Sequence, residues 1–596
     1  MGHSTNRSIE QDEKRKIEKN ALKKLLSHAL PYWPWFLLAL GLVLLITVTD
    51  LLSPYLLGLA INDIQEAIKD PTMMSELQNH IKLLGLGFIL VALVQFVVSY
   101  FNTIILNVTS SKIIRGLREK VFRHVMKLPF SYFDKTPVGS VVTRICNDTN
   151  AINDMYISVL VNFFKDIFMM IGVVITMFLL DVRLTLAVLS VLPLMAFAAI
   201  LFRTKARKIH TRIRARLSAI NIFLSEHIAG MKVVQLFNME KVKAREFDDI
   251  NKEYQEANKS RIKLFGLFRP FMDVVAAIAT ALILWVGGAQ VLNLTVSMGI
   301  VYMFINYSGK FFNPIMNLTE MYNTTQASLV SSERIETLLK TKPDEKPTVI
   351  DSLNAVKGEI EFRNVWFAYI GENWILKDIS FKVRPGEKIA IVGTTGAGKT
   401  TIINLILGFY RHQKGEILVD GIPIGKLDIR ELRKAIGTVR QDVFLFRGDI
   451  ATNIRLYNPI SDEQLISAAK TVNASKFIEK LPGQYNEEVN QRGTTMSEGQ
   501  RQLLSFARAL VINPKILVLD EATSSVDTNT EKLIQDGLEH LMEGRTSITI
   551  AHRLSTIQNS DIILFLHKGK IAEQGTHKQL LEKKGLYYDL YTIQFS

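Results

Sequence analysis

Apolar and polar residues follow two different rhythms along this chain. In the first half, six apolar runs stand out, at about Trp35–Ile61, Ile81–Val108, Ser158–Leu180, Leu184–Phe202, Phe271–Leu292 and Gly299–Met321. Each approaches or exceeds the ~20 residues a helix needs to cross a bilayer. Buried helices of a large soluble protein rarely supply six such runs in one half, so the pattern predicts an all-α polytopic membrane domain. The sixth run is the weakest, because Lys310, Asn313 and Pro314 interrupt it. From Glu359 onward the rhythm changes to short β-branched strands alternating with helices, the pattern of an α/β domain. The stretch "LLKTKPDEKPTVIDSLNAVKG" between the halves is polar and carries prolines. The expected division is residues 1–30 as an N-terminal segment with the start of an elbow helix, 31–338 as the membrane domain, 339–358 as a linker, and 359–596 as the α/β domain.

The polar segments between the runs set an orientation. The second and third runs are separated by Lys112, Arg115, Arg118, Lys120, Arg123, Lys127, Lys135 and Arg144, and the fourth and fifth by "RTKARKIHTRIRARL" and further cations up to Arg269. The segment after the first run, "NDIQEAIKDPTMMSELQNH", is acidic. The positive-inside rule then places both basic loops and both termini in the cytoplasm. Much of the formal charge of +14 is accounted for in this way, which argues against a nucleic-acid partner. Both loops also repeat apolar residues at helical spacing, "SSKIIRGLREKVFRHVMKL" doing so up to Pro129. They predict helices that run out of the bilayer and are joined by a short transverse piece. The first thirty residues hold no apolar run followed by a cleavage site, so no cleaved secretory signal is expected. Cys146 is the only cysteine, which excludes an intramolecular disulfide.

The chemistry lies in the second half. "KIAIVGTTGAGKTTIINLILGF" reads as strand, glycine-rich turn and helix. Gly393, Gly396 and Gly398 let successive N–H groups turn toward phosphate oxygens, and Thr394, Thr395 and Ala397 complete the loop. Lys399 is placed for β- and γ-phosphates, Thr400 for Mg2+, and Thr401 continues a helix whose N-terminus favours anions. In "KILVLDEATSSVD" a hydrophobic strand delivers Asp520 and Glu521 to its carboxyl end, where ligands sit in open α/β sheets. Asp520 suits Mg2+, directly or through water, and Glu521 suits a general base for the attacking water.

Together these residues resemble an ATP-binding cassette (ABC) transporter half of the exporter type, six helices followed by a nucleotide-binding P-loop NTPase domain, most like one subunit of a bacterial heterodimeric multidrug exporter. "VWFAY", "TVRQDVFLF", "SEGQRQLLSFARAL", "DEATSSVD" and "IAHRLST" carry the likeness in the second half, "FSYFDKTPVGSVVTRICND" and "EHIAGMKVVQLFNME" in the first. The resemblance implies ATP and Mg2+ as cofactors and a second half-transporter as partner, with each ATP held between the loop of one half and the signature helix of the other. It implies adenine stacking for Tyr369, Mg2+ and γ-phosphate sensing for Gln441, γ-phosphate contact for His552, contact across the dimer for Asp527, and nucleotide contact for Ser497, Gly499 and Gln500.

One residue departs from the family. After Ser497 two glycines are usual, and here Glu498 precedes Gly499; "VNQRG" upstream also replaces a common glycine and glutamate. Two readings of Glu498 stand. Ser497 and Gln500 form an S-x-x-Q capping box, and an acid in the first turn suits the helix dipole. Against a γ-phosphate, however, a carboxylate ~5 Å from one charge costs roughly 3 kcal/mol at an effective dielectric near 20. Since Lys399, Gln441, Glu521 and His552 are intact, the second reading predicts a heterodimer with one hydrolytic and one degenerate site.

The implied activity is ATP-driven export of hydrophobic or amphipathic compounds across the cytoplasmic membrane by alternating access, multidrug efflux first and lipid export second. A gated channel would call for a long regulatory insertion, and no serine-rich one appears. Asp50, Lys165, Asp166 and Lys310 are charges at membrane depth that either line a cavity or, for Lys165 and Asp166, form a pair at the inner interface.

Overall fold

The computed structural model describes residues 27, 29–69, 74–344, 356–520, 528–551 and 554–595. It divides into two compact units. The first comprises residues 1–126 and 137–341, and the second comprises 127–136 and 342–596.

The first unit is helical. Its long members are α1 (Trp33–Lys69) and α2 (Met74–Val125). Residues 130–135 form the short α3 (Phe130–Lys135), which belongs to the second unit. The first unit resumes with α4 (Val138–Thr143), α5 (Thr149–Asp154), α6 (Asn162–Leu180), α7 (Val182–Leu189), α8 (Leu192–Ala229), α9 (Met231–Leu236), α10 (Glu240–Leu292) and α11 (Met298–Lys340). With 52 and 53 residues, α2 and α10 are about 80 Å long at 1.5 Å per residue, far beyond a ~30 Å hydrocarbon core, so each extends into water as a rod. Among the described residues, five helical stretches are long and apolar enough to span, within Leu30–Ile68, Ser75–Val125, Val138–Leu180, Val182–Ala229 and Glu240–Leu292. Helix α11 has the length, at 43 residues, but falls short in apolar character, as expected from Lys310 and Asn313.

Local sequence explains the joints. Asp181 caps α7 by accepting from the Leu184 amide at 2.7 Å and alone separates α6 from α7. Pro193 stands in the first turn of α8, where its missing N–H has no intrahelical partner to lose. Two π-helical stretches, Arg144–Asp148 and Met155–Val161, flank α5, a feature the sequence pattern did not announce. Buried Asp148 accepts from Ser331 Oγ at 2.8 Å and holds α11 to this region. Val173, Leu184, Val188, Ala279, Ile283, Phe304 and Tyr307 form the centre of the helical core. Helices α1 and α11 approach so closely at one end that a Cβ on Gly299 would collide with the carbonyl oxygen of Gly58.

The second unit is α/β. Strands β1 (Ile360–Phe367), β2 (Leu376–Val383), β4 (Lys414–Val419) and β5 (Ile422–Pro423) form an antiparallel sheet in the order β2-β1-β4-β5, with β3 (Lys388–Gly393) placed elsewhere. The second sheet adds β6 (Ile436–Val439), then, after the small pair β7 (Gly448–Asp449) and β8 (Glu488–Val489), β9 (Ile516–Asp520), β10 (Thr546–Ile550), β11 (Ile562–His567) and β12 (Lys570–Gly575). Its order is β12-β11-β3-β10-β9-β6, parallel except for β12. All five residues of β10 are buried, as expected of a central parallel strand covered on both faces. The helices are α12 (Lys399–Ile406), α13 (Ile429–Ala435), α14 (Ile450–Arg455), α15 (Asp462–Thr471), α16 (Ser475–Ile478), α17 (Glu498–Leu510), α18 (Thr528–Met542), α19 (Leu554–Gln558), α20 (His577–Lys583) and α21 (Leu586–Phe595). One apolar core joins the antiparallel sheet to β3 and α12, and a second, around Leu445, Leu503, Phe506 and Leu538, joins the helices α14 to α18.

The segment between the two prolines at 129 and 137 packs inside this unit. Phe130 stacks on Phe409 at 4.7 Å between centroids and meets Tyr410 edge-on at 6.4 Å. The Tyr410 hydroxyl donates to Asp134, the Lys127 carbonyl accepts from the Asp344 amide at 2.9 Å, and Arg433 lies 5.1 Å over the Phe409 ring.

Candidate nucleotide site

Four parallel strands bring their carboxyl ends to one edge. Ile550 of β10 stands level with Asp520 of β9 and with Ile391 of β3, and Leu519 stands level with Val439 of β6. The loop after Gly393, the strand end at Asp520 and the approach to Gln441 therefore stand beside one another at this edge. Such an edge is where ligands bind in open α/β sheets.

The loop from Gly393 to Gly398 curls as the sequence predicts. Gly393, Gly396 and Gly398 have φ of 151°, 81° and 104°, and all three fall in the region that favours glycine. At Gly398 a Cβ would lie 2.6 Å from Leu376 Cδ2, whereas at Gly396 it would meet nothing within 4 Å. The loop is thus tight where it rests on the protein and open on its outer side. Thr394, Thr395 and Gly396 are exposed there, Ala397 is buried beneath, and Thr400 is exposed in the first turn of α12. Lys399 is half-buried, and its Nζ donates to the carbonyls of Gly393 at 2.8 Å and Thr394 at 3.1 Å. Burial holds the Lys399 ammonium below the usual lysine range, and the Asp520 carboxylate opposes that shift. An ammonium held by neutral carbonyls, beside an open rim of amides at a helix N-terminus, fits a polyphosphate. For Mg2+ the same edge offers the Thr400 hydroxyl and Asp520, hard oxygen donors of the kind this ion takes together with phosphate oxygens.

Tyr369 is 39% exposed, and its hydroxyl lies 3.2 Å from Thr401 Oγ1. Its ring stands edge-on to Phe367 at 4.8 Å and to Tyr410 at 5.0 Å. The sequence reading singled out Tyr369 and missed Tyr410, although "GFY" directly after α12 put an aromatic pair close in the chain. Tyr410 thus touches both Tyr369 and the segment at 130–134.

At the signature, Ser497 Oγ accepts from the Gln500 amide at 3.2 Å, and Gln500 Oε1 accepts from the Ser497 amide at 3.0 Å, a complete capping box. Gly499 is buried, and Glu498 is exposed in the first turn. Glu498 lines a cleft with Gln441, Asp442, Val443, Arg501 and Gln502. The cation Arg501 near Glu498, and the sharing of one cleft with Gln441 of the same chain, were not anticipated. A further unanticipated residue is Arg508 of α17, which donates to the carbonyls of Asn453 at 2.9 Å and Phe444 at 3.0 Å. Burial pushes its pKa down to about 10, and it ties the loop after Gln441 to the helical core. Glu521, Asp527 and His552 lie outside the described residues.

Comparison with known proteins agrees with this architecture. Residues 36–315 match the ABC transporter transmembrane region, and residues 376–524 match the ABC transporter family. The chain is 39% identical to the uncharacterized ABC transporter ATP-binding protein YknV of Bacillus subtilis (strain 168), covering 96% of this chain and 94% of that one. It is 34% identical to an ATP-dependent lipid A-core flippase of Syntrophus aciditrophicus (strain SB), covering 96% and 94%. It is 32% identical to the multidrug resistance-like ATP-binding protein MdlB of Buchnera aphidicola subsp. Schizaphis graminum (strain Sg), covering 96% and 98%. Among solved structures, a bacterial Atm1-family ABC exporter with ATP bound superposes with a TM-score of 0.74 at 27% identity, covering 94% of this chain and 98% of that one. The chain belongs to the ABC transporter family, as an exporter polypeptide in which a helical membrane region is fused to a domain that binds and hydrolyses ATP to drive transport.

Proposed function

We propose that the protein is one half of a heterodimeric exporter of hydrophobic or amphipathic compounds, embedded in the cytoplasmic membrane with its termini and nucleotide domain in the cytoplasm. The observation that carries the asymmetric reading is the signature helix. It keeps a complete capping box on Ser497 and Gln500, yet presents an exposed carboxylate, Glu498, in the turn that meets a partner's nucleotide. A neutral first turn offers amides alone to a phosphate, whereas this one adds a like charge. Arg501 in the same cleft offsets part of it, so the partner's site is slowed rather than abolished.

In this chain's own site Lys399 exchanges its two loop carbonyls for phosphate oxygens. The amides of the loop at 394–398 hold the remaining phosphate charge, and Tyr369 takes the base. Thr400, Asp520 and Gln441 would hold Mg2+, partly through water, which when bound neutralises charge on the phosphates. Glu521 accepts the proton of the attacking water, and His552 steadies the terminal phosphate, against a normal signature supplied by the partner. Asp527 reaches across the dimer.

The cargo assignment rests on likeness: one relative is named for multidrug resistance and another for lipid flipping. Drug against lipid stimulation of ATP hydrolysis in proteoliposomes separates the two. The heterodimer is tested by purifying the chain alone and with co-expressed candidates. Robust ATPase activity and transport by a homodimer overturns the asymmetric reading, whereas a partner with an intact signature and an altered catalytic glutamate supports it.

A further inference from the structure

Near the middle of α1, Asp50 and Pro54 stand four residues apart. Proline has no N–H, so the Asp50 carbonyl loses its intrahelical donor. Lys310 of α11 replaces it: its Nζ donates to Asp50 O at 2.8 Å and also to Asp50 Oδ1 at 3.1 Å. Gln95 of α2 donates to the same Oδ1 at 3.0 Å, and the Tyr307 hydroxyl donates to the next carbonyl, Leu51 O, at 2.6 Å. Three helices thus meet at a proline-broken turn. Helix α11 repeats the device, for Pro314 stands four residues after Lys310 and withdraws the donor for the Lys310 carbonyl.

Repair of the break does not require charge. One position further on, the neutral hydroxyl of Tyr307 donates to Leu51 O, so a neutral side chain of α11 is able to reach the carbonyls of this turn. An ammonium and a carboxylate within an apolar bundle are costly, and charges at that depth face the bundle interior or a water-filled cavity. The pair also has capacity left over. An ammonium has three donors, and among the described residues Lys310 uses two; a carboxylate accepts on both oxygens, and both described donors to the Asp50 side chain go to Oδ1. The two side chains keep 29% and 17% of their surface exposed.

We propose that this cluster is the headgroup site for a zwitterionic amphiphile, an inference that rests on the exporter reading and names its cargo class. The ammonium of the cargo binds Asp50 Oδ2 and the Lys310 carbonyl, and its phosphate binds the third N–H of Lys310. The pair is neutral as a whole, so a zwitterion matches it at both poles. A simple cation meets Lys310, and a simple anion meets Asp50, each as a like charge.

The test uses the full-length transporter, with its partner where one co-purifies, in liposomes. Binding and ATPase stimulation are measured with lysophosphatidylethanolamine, lysophosphatidylglycerol and dodecylamine. The unmodified protein prefers the first by about tenfold or more, the scale of one charged hydrogen bond. Asp50→Asn weakens lysophosphatidylethanolamine and strengthens lysophosphatidylglycerol, whereas Lys310→Gln shifts preference toward dodecylamine. Equal affinity for all three headgroups in the unmodified protein overturns the proposal whether or not the variants fold. A uniform loss in both variants overturns it as well, since that is the mark of a purely structural joint. Stimulation by none of a wide panel of amphiphiles, with no transport, is the distinct result that removes the exporter reading itself.

Discussion

Replacing Phe130 by alanine removes a stacked aromatic contact that holds the 127–136 segment in the nucleotide unit. Phe130 is half-buried, which is worth about 1–1.5 kcal/mol at roughly half the value of a fully buried phenylalanine. Its stacked contact with Phe409, 4.7 Å between centroids and 22° from parallel, adds about 0.5–1.5 kcal/mol. The edge contact to Tyr410 at 6.4 Å is near the limit for such pairs and adds little. The total, about 1.5–3 kcal/mol, is a factor of roughly 12 to 150 in the docking equilibrium. The hydrogen bond from Tyr410 to Asp134 is exposed and leaves a residual anchor, so the lower end is expected. The assay is hydrogen exchange on peptides covering residues 127–136, with ATPase activity measured in parallel. Protection should fall by at least tenfold, basal hydrolysis should stay within about twofold because no nucleotide contact is removed, and stimulation by amphiphiles should drop. Phe130→Leu, which keeps apolar area but loses the ring, should fall between. Unchanged protection in Phe130→Ala would refute the assignment of the docking energy to this ring.

Gly398→Ala must hold a φ of 104° and place a methyl group 2.6 Å from Leu376 Cδ2, so affinity for a fluorescent ATP analogue should fall by at least tenfold; an unchanged affinity contradicts the loop geometry. Glu498→Gly removes a carboxylate from the first turn of α17, costing the helix about 0.3–1 kcal/mol and raising ATP turnover of the assembled transporter several-fold, with Arg501 limiting the gain; no rise would leave Glu498 as a helix stabiliser only. His577 Nδ1 lies 2.7 Å from the Tyr587 hydroxyl, and burial depresses its pKa below the ordinary 6.5. The fold therefore favours neutral imidazole, and its contribution is complete above pH 6.5 and is lost as pH falls toward the depressed value. Exchange protection of α20 and α21 should drop between pH 7.5 and 5.5, and His577→Gln should flatten that dependence.

Much of this architecture was legible because its signals are local. Runs of apolar residues mark the spans, and the glycine spacing after a hydrophobic strand marks the phosphate loop. Ser497 and Gln500 announce their capping box by being three residues apart. What was hidden depends on partners distant in the chain. Nothing in "FSYFDK" says that Phe130 stacks on a residue almost three hundred positions away. Asp50 and Lys310 were visible as charges at membrane depth, but not as a pair, because their meeting depends on how α1 and α11 align. Lys165 and Asp166 are half-buried near the start of α6. The two π-helical stretches likewise have no periodic signature, since the extra residue in each turn is imposed by packing.

The placement of residues 127–136 has a consequence for dissecting the molecule. A single cut between residues 345 and 355 separates the two halves of the sequence but not the two bodies of the structure, since ten residues of the nucleotide unit are encoded more than two hundred positions upstream. A fragment that starts at residue 356 would present Phe409, Tyr410 and the Arg433 guanidinium to water with their cover missing. Its stickiness in solution would then reflect an amputated surface, and a peptide of sequence "KLPFSYFDKT" supplied separately should restore solubility to it.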